Sequence, residues 1–327
     1  MAILKNLARK DYAYIYDLSN VRGLGSKKFS SILIDSLPKY NALVIYPKSG
    51  SFINHFYRLL IIIAVVVFQR NSHLIVFGDI PFPFHRNQTV IIQQALITLD
   101  FQHAIRLNPK SLALKILFLL LYSNKHKYIV QSYYMKSWLC SLKSANGYID
   151  PGRVFEFYPS ISSLTLDNSG SKSISANYFI SVTSDLRHKH NSSLIEIWNL
   201  IIGPLTRSKL LITLRNKTSQ VYEYIDFVGF LPENVVADLI GNSNGLVSMS
   251  KCESFFLPAA YCCELDVPLV AHRLPVLDEL YGDSYYAFND ISQLVTSVIH
   301  SLGDFRRTPK YQKAHTSLTA LSEFVGN

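Results

Sequence analysis

Short runs of β-branched and aromatic residues alternate along this chain with stretches whose apolar positions recur at helical spacing. The run at 12–18 (YAYIYDL) breaks into the glycine-containing stretch 19–26 and then into a helical pattern ending near Leu37-Pro38, which reads as strand, loop, helix. Strands are predicted at 42–46, 74–77, 90–92 and 128–131, with helices at 52–68, 115–123 and 133–144. A second alternation follows, with strands at 178–182, 210–214, 225–228, 245–249 and 268–271 and helices at 192–202, 232–240 and 257–263. Strands separated by helices argue for parallel sheets in an α/β fold.

At 327 residues the chain exceeds the size at which single cores stop growing, about 250–300 residues. The stretch 150–167, with Pro151, Gly152 and Pro159, and the polar run 168–173 mark the seam. The expected domains are 1–165 and 166–305, with a helix in 306–327 packing back towards the first. Open sheets of this kind bind ligands at the carboxyl ends of their strands.

Charge separates the same halves. Residues 1–150 hold 18 Lys and Arg against 6 Asp, a net +12, and residues 151–327 hold 14 basic against 17 acidic residues, a net −3. A basic half suits an anionic membrane face, a phosphorylated lipid or nucleic acid, but no nucleic-acid-binding motif accompanies it, and no nucleic-acid partner is expected. Cys140, Cys252, Cys262 and Cys263 have neither disulfide nor zinc spacing, and the cytoplasm is the expected compartment. The first residues lack an apolar signal core. The apolar runs 59–68 and 112–122, the second interrupted by Lys115, fall short of the roughly 20 residues that cross a bilayer. They predict buried helices, with a position on a membrane surface as the alternative.

The most informative stretch is 227–290. It contains Gly229-Phe230-Leu231-Pro232-Glu233, then Gly245-Leu246-Val247-Ser248-Met249-Ser250, Glu253-Ser254-Phe255-Phe256-Leu257-Pro258, Val267-Pro268-Leu269-Val270-Ala271 and Leu274-Pro275-Val276-Leu277-Asp278-Glu279. A strand ends, a carboxylate stands at its end, and a helix starts near Pro258, a residue tolerated in a first helical turn. The N–H groups and dipole of that helix start suit an anion such as a diphosphate. In this order and over about sixty residues, these motifs resemble the retaining, nucleotide-sugar-dependent glycosyltransferases of the GT-B fold, family 4 or group 1.

The resemblance implies two Rossmann-like domains with parallel sheets facing a central cleft, the first binding acceptor and the second the nucleotide-sugar donor. It places Glu253 on the sugar hydroxyls and Lys189 on the donor diphosphate, as the two catalytic residues. Arg187, Ser254, Phe255, Phe256, Leu257 and Tyr261 would line the donor site, and Arg22, Gly23 and Gly25 the acceptor or phosphate loop. Arg273 is a weaker candidate for the cleft. Three departures stand out: Tyr261 occupies the position of the family's second glutamate, which accepts from the nucleotide ribose, Ser184 that of an arginine, and Phe256 that of a glycine. Without a D-x-D motif, neither metal nor cofactor is expected, and the leaving diphosphate is stabilised by preorganised donors and cations.

Each residue also has a plainer reading. Glu253 alone would complement a helix dipole, residues 187–190 would form a solvated basic loop, and Gly23 and Gly25 would serve only a turn. The implied function is sugar transfer to a glycan or polyprenyl-diphosphate-linked acceptor in bacterial surface polysaccharide (O-antigen or capsule) synthesis. It would take place in the cytoplasm, with peripheral attachment to the anionic inner face of the membrane. The alternative is a noncatalytic GT-B-like binding or scaffold protein.

Overall fold

The computed structural model describes residues 12–18, 30–45, 64–158 and 177–326, apart from 36, 40, 66, 70, 84, 101, 103–104, 106–108, 145–146, 217–219, 304–307 and 313–316. Two units partition the chain, Met1–Pro159 with His315–Asn327, and Ser160–Ala314.

The first unit is built on six parallel strands, β1 (Tyr14–Asp17), β2 (Ala42–Ile45), β3 (His73–Phe77), β4 (Gln88–Ile91), β5 (Lys127–Val130) and β6 (Val154–Glu156), in the order β2-β1-β3-β4-β5-β6. Every residue of β1, β3 and β4 is buried, as expected where helices cover both faces of a parallel sheet. Strand β6 lies in the stretch that reads as a linker. Three residues flanked by Pro151-Gly152 and Pro159 carry no periodicity to mark them, and the strand is created by its partner, with Tyr128 opposite Val154.

Helices α1 (Pro109–Leu121) and α2 (Tyr133–Ser141) meet through Phe118 and Trp138, whose rings lie 5.9 Å apart. Ser132 caps α2 by accepting from the N–H of Met135. Helix α1 departs from the buried helix predicted for the run 112–122. Phe118 is buried, but so is Lys115, whereas Ile116, Leu117 and Leu120 are exposed.

Three histidines gather at the amino ends of β3 to β5, the edge opposite the strands' carboxyl ends. His73 Nε2 pairs with Thr89 Oγ1 (2.8 Å), His85 Nε2 with the Gln69 carbonyl (3.2 Å), and His126 Nε2 with Gln88 Nε2 (3.1 Å). Burial pushes the His73 and His126 imidazoles down to about 4, so both are neutral at pH 7.

The second unit has the order β9-β8-β7-β10-β11-β12, all parallel, with β7 (Tyr178–Ser181), β8 (Lys209–Ile212), β9 (Ile225–Phe227), β10 (Leu246–Ser248), β11 (Leu269–His272) and β12 (Tyr286–Phe288). Counted from β7 this is 3-2-1-4-5-6, the doubly wound order of dinucleotide-binding sheets. Helix α3 (Asn191–Ile197) runs on through a π-helical segment (Trp198–Ile202) and the turn Gly203–Thr206. The remaining helices are α4 (Glu233–Gly241), α5 (Leu257–Glu264), α6 (Pro275–Tyr281) and α7 (Ile291–Gly303). Trp198, fully buried against Phe179, donates from Nε1 to the Ser208 carbonyl (3.1 Å). Gly203 is required where it stands, since a Cβ there would lie 2.4 Å from the Tyr224 side chain.

Candidate functional site

A doubly wound sheet reverses its strand order at one point, and the loops leaving the two strands there part to leave a crevice. In the second unit that point lies between β7 and β10. The loop after β7 turns back at Thr183, whose N–H donates to Thr213 Oγ1 (2.9 Å) and whose carbonyl accepts from that hydroxyl (3.1 Å). Asn191 closes it, donating from Nδ2 to the Ser184 carbonyl (2.8 Å). The chain then makes a 3-10 turn, Arg187–Lys189, and His190 takes a left-handed conformation (φ 51°) that starts α3.

The loop after β10 carries Lys251, Cys252 and Glu253. It is joined to the first loop by a backbone bond from the Lys251 N–H to the His188 carbonyl (2.8 Å) and by an ion pair between Lys189 Nζ and Glu253 Oε1. Both side chains of that pair are largely buried. The structure therefore brings together the two residues that the resemblance makes catalytic.

Glu253, Ser254 and Phe255 lead to Phe256, which adopts φ 59°, ψ 69° as the N-cap of α5. This is the left-handed region that glycine favours. Phe256 thus holds a backbone conformation that a glycine would adopt freely, and its buried ring lies 5.9 Å from Lys189 Nζ. No side chain caps α5, Pro258 stands in its first turn, and Lys189 Nζ lies 5.9 Å from the ring centre of its N-cap residue, Phe256. A cation next to a helix N-terminus is a site for an anion.

One further cationic position comes from the structure. Lys251 Nζ contacts His272 Nε2 at the end of β11, and His272 Nδ1 pairs with the Arg273 carbonyl (2.9 Å). Burial lowers the pKa of Lys251, and burial followed by the Lys251 charge lowers those of His190 and His272. His188 falls to about 4 through burial and then Lys189. The histidines here are thus neutral at pH 7, and Lys189 and Lys251 carry the positive charge. Lys251 has no local signature, being one lysine in a chain with many. Only its position two residues before Glu253 points to it.

Arg187 and Arg273 are exposed, and Tyr261 is buried. The Tyr261 hydroxyl donates to Glu233 Oε1 at the start of α4, and burial with this bond raises its pKa. Arg22, Gly23 and Gly25 lie outside the described residues. In the first unit Asp79, buried and in the left-handed region (φ 65°) just past β3, accepts from the N–H groups of Gln93 (2.6 Å) and Gln94 (2.9 Å), and burial raises its carboxyl to about 6. It pins the exit of β4. Gln93 Nε2 then donates to Ser30 Oγ (3.1 Å). Among the described residues no group of three or more His, Cys, Asp or Glu is arranged to hold a metal ion.

No protein-family model and no curated protein matches the chain. Solved structures do. WaaG, a glycosyltransferase involved in lipopolysaccharide biosynthesis, is similar over 95% of this chain and 94% of its own, with a TM-score of 0.61 and 12% identity. The fold is GT-B. A variant of S. aureus TarM in complex with Fondaparinux, alpha-GlcNAc-glycerol and UDP aligns with 82% of this chain at a TM-score of 0.55 and 12% identity. The chain spans about half the length of TarM, 53%. The Methanocaldococcus jannaschii UDP-GlcNAc 2-epimerase, in complex with UDP-GlcNAc and UDP, is similar over 97% of this chain and 99% of its own, with a TM-score of 0.58 and 12% identity. One fold thus carries both transfer and epimerisation, and the reaction has to be argued from the site.

Proposed function

We propose that the protein transfers a sugar, with retention, from a nucleotide-diphosphate donor to a glycan or polyprenyl-diphosphate-linked acceptor. The setting is surface-polysaccharide synthesis, such as O-antigen or capsule, at the inner face of a bacterial membrane. One observation carries this reading, the meeting of Lys189 and Glu253 at the switch point of the second sheet, beside the uncapped start of α5.

In the transfer, the bond from the anomeric carbon to the diphosphate oxygen breaks with its electron pair on that oxygen. The acceptor hydroxyl oxygen bonds to the same carbon, and its proton leaves to the released diphosphate or to solvent. Negative charge grows on the diphosphate, so donors already aimed at it lower the barrier. Lys189 and the N–H groups of Phe256 and Leu257 fill that role, and Lys251 adds the charge that Ser184 lacks. With the diphosphate drawing on Lys189, Glu253 is released to accept from the sugar hydroxyls. Similarity to a lipopolysaccharide glycosyltransferase and to a UDP-bound TarM variant supports this choice.

The test is incubation with a panel of nucleotide sugars, reading released nucleotide and the thermal shift of the protein. Stabilisation by at least one donor, lost in Lys189→Ala and Glu253→Ala together with turnover, is the expected result. The noncatalytic alternative is favoured by Tyr261, whose hydroxyl is already engaged by Glu233. No stabilisation by any nucleotide would establish it in place of the enzyme.

A further inference from the structure

The helix that begins as α3 and continues to Thr206 has an apolar outer side. Leu194, Ile197, Trp198 and Ile202 are buried in the core of the second unit. Leu200, Ile201 and Leu205 stand 66%, 45% and 61% exposed, with exposed Pro204 among them. The π-helical segment makes this patch. After Leu194, Ile197 and Trp198 the α-helical repeat calls for residue 201 inward, but the wider turn over Trp198–Ile202 takes Ile202 inward instead and leaves Ile201 outside. A contiguous apolar patch on a surface helix marks an interaction site.

Charge identifies the partner. Exposed Glu196 stands one turn before Leu200, and exposed Arg207 follows Leu205 by two residues. Among the described residues neither is in an ion pair of its own chain. The patch is therefore bounded by one carboxylate and one guanidinium, eleven residues or roughly 16 Å apart along the helix. Such a face is complementary to itself. A two-fold axis through its middle, near residues 201–202, runs the second helix antiparallel and sets each Glu196 against the Arg207 of the other copy, with Leu200 and Leu205 closing over the centre. An anionic bilayer has no such fit, since the patch offers it one charge of each sign and residues 151–327 carry a net −3.

We infer that the chain forms a two-fold dimer through this face of its second unit, apolar at the axis and held in register by the two Glu196–Arg207 pairs. One helix against one helix falls short of the roughly 1,200 Å² buried in a stable interface, so the dimer is a weak one that dissociates on dilution. Neither the donor site nor the proposed transfer enters this inference.

Sedimentation velocity of the full chain from about 1 μM to about 500 μM, the range in which weak interfaces exchange, tests it. A mass that rises from one chain to two is expected. Leu200→Gln with Leu205→Gln should hold the chain at one copy without lowering the melting temperature, since both positions are exposed. Should that variant unfold, Leu200→Gln alone is expected to raise the dissociation constant at least about threefold while staying folded. Glu196→Arg and Arg207→Glu should each weaken association at least about fivefold by setting like charges together. The two combined in one chain should restore it, because each copy then meets the other's exchanged charge. A monomer at every concentration overturns the proposal, whether or not the patch then takes a lipid vesicle or another protein. So does a dimer indifferent to the apolar and charge variants, or one that the combined exchange fails to restore.

Discussion

The phenol of Tyr261, in the middle of α5, donates to the carboxylate of Glu233, the first residue of α4, so two helices that start near the same sheet edge are held at a fixed spacing. Replacing Tyr261 with Glu would set two carboxylates against each other in a largely buried setting. Two acids so close share a proton, and the fold loses about 1–3 kcal/mol at neutral pH, less in acid. Urea denaturation of Tyr261→Glu at pH 5 and pH 8, with Glu233→Gln added to restore stability at pH 8, checks this. Equal stability of single and double variants would show that the two groups do not interact.

Lys189 and Glu253 pair across 64 positions of chain. Removing either one leaves its partner's charge partly buried, so Lys189→Ala and Glu253→Ala each destabilise by about 1–3 kcal/mol. The double variant loses less than the sum, by about 1 kcal/mol or more. A double-mutant cycle by chemical denaturation reads this coupling directly.

Phe256 pays for its left-handed backbone with about 1–2 kcal/mol. Phe256→Gly removes that strain but empties a site holding a buried ring, a loss of about 3–5 kcal/mol. A net destabilisation of about 1–4 kcal/mol is expected, together with loss of the ring contact to Lys189. A thermal melt of the variant measures the first. A neutral or stabilising result would mean that the ring contributes little to packing.

Acid acts on the other unit. His73 and His126 have pKa values of about 4 in the folded chain, through burial first, with Lys127 and His85 also opposing protonation of His73 and His85 that of His126. Their unfolded value is near 6.5, so between those limits the unfolded chain binds more protons than the folded one, and stability is full above pH 6.5 and falls towards pH 4. Following unfolding of the first unit from pH 7.5 to 4 tests this, and His126→Gln should flatten the slope. A profile unchanged by His126→Gln would assign the acid loss to other groups.

The doubly wound character is legible in the alternation of β-rich and helical runs, because strands buried on both faces write themselves as unbroken apolar stretches such as 74–77. Val154–Glu156 and Tyr286–Phe288 are not legible in this way, and each pairs with a neighbouring strand that the sequence does mark. At the site, the order of motifs marks the loops of Lys189 and Glu253. That those loops adjoin depends on β7 lying beside β10, which no local pattern encodes. Lys251 with His272, and Tyr261 with Glu233, are long-range pairings of the same kind. Helix α1 misleads for a different reason, as its apolar residues outnumber its inward-facing positions and Ile116, Leu117 and Leu120 stay exposed.

Helix α8 (Leu318–Gly326) sets Leu321 and Val325 into the core beside Tyr16, Ile75, Ile129 and Phe157, stacks Phe324 on Phe155 and receives Lys127 Nζ on the Phe324 carbonyl (2.8 Å). The first unit is thus sewn shut by residues synthesised after the whole of the second. On the ribosome, the later-made lobe is the one able to finish first. Until α8 emerges, the earlier lobe waits with an apolar groove open, the interval in which a chaperone would find it.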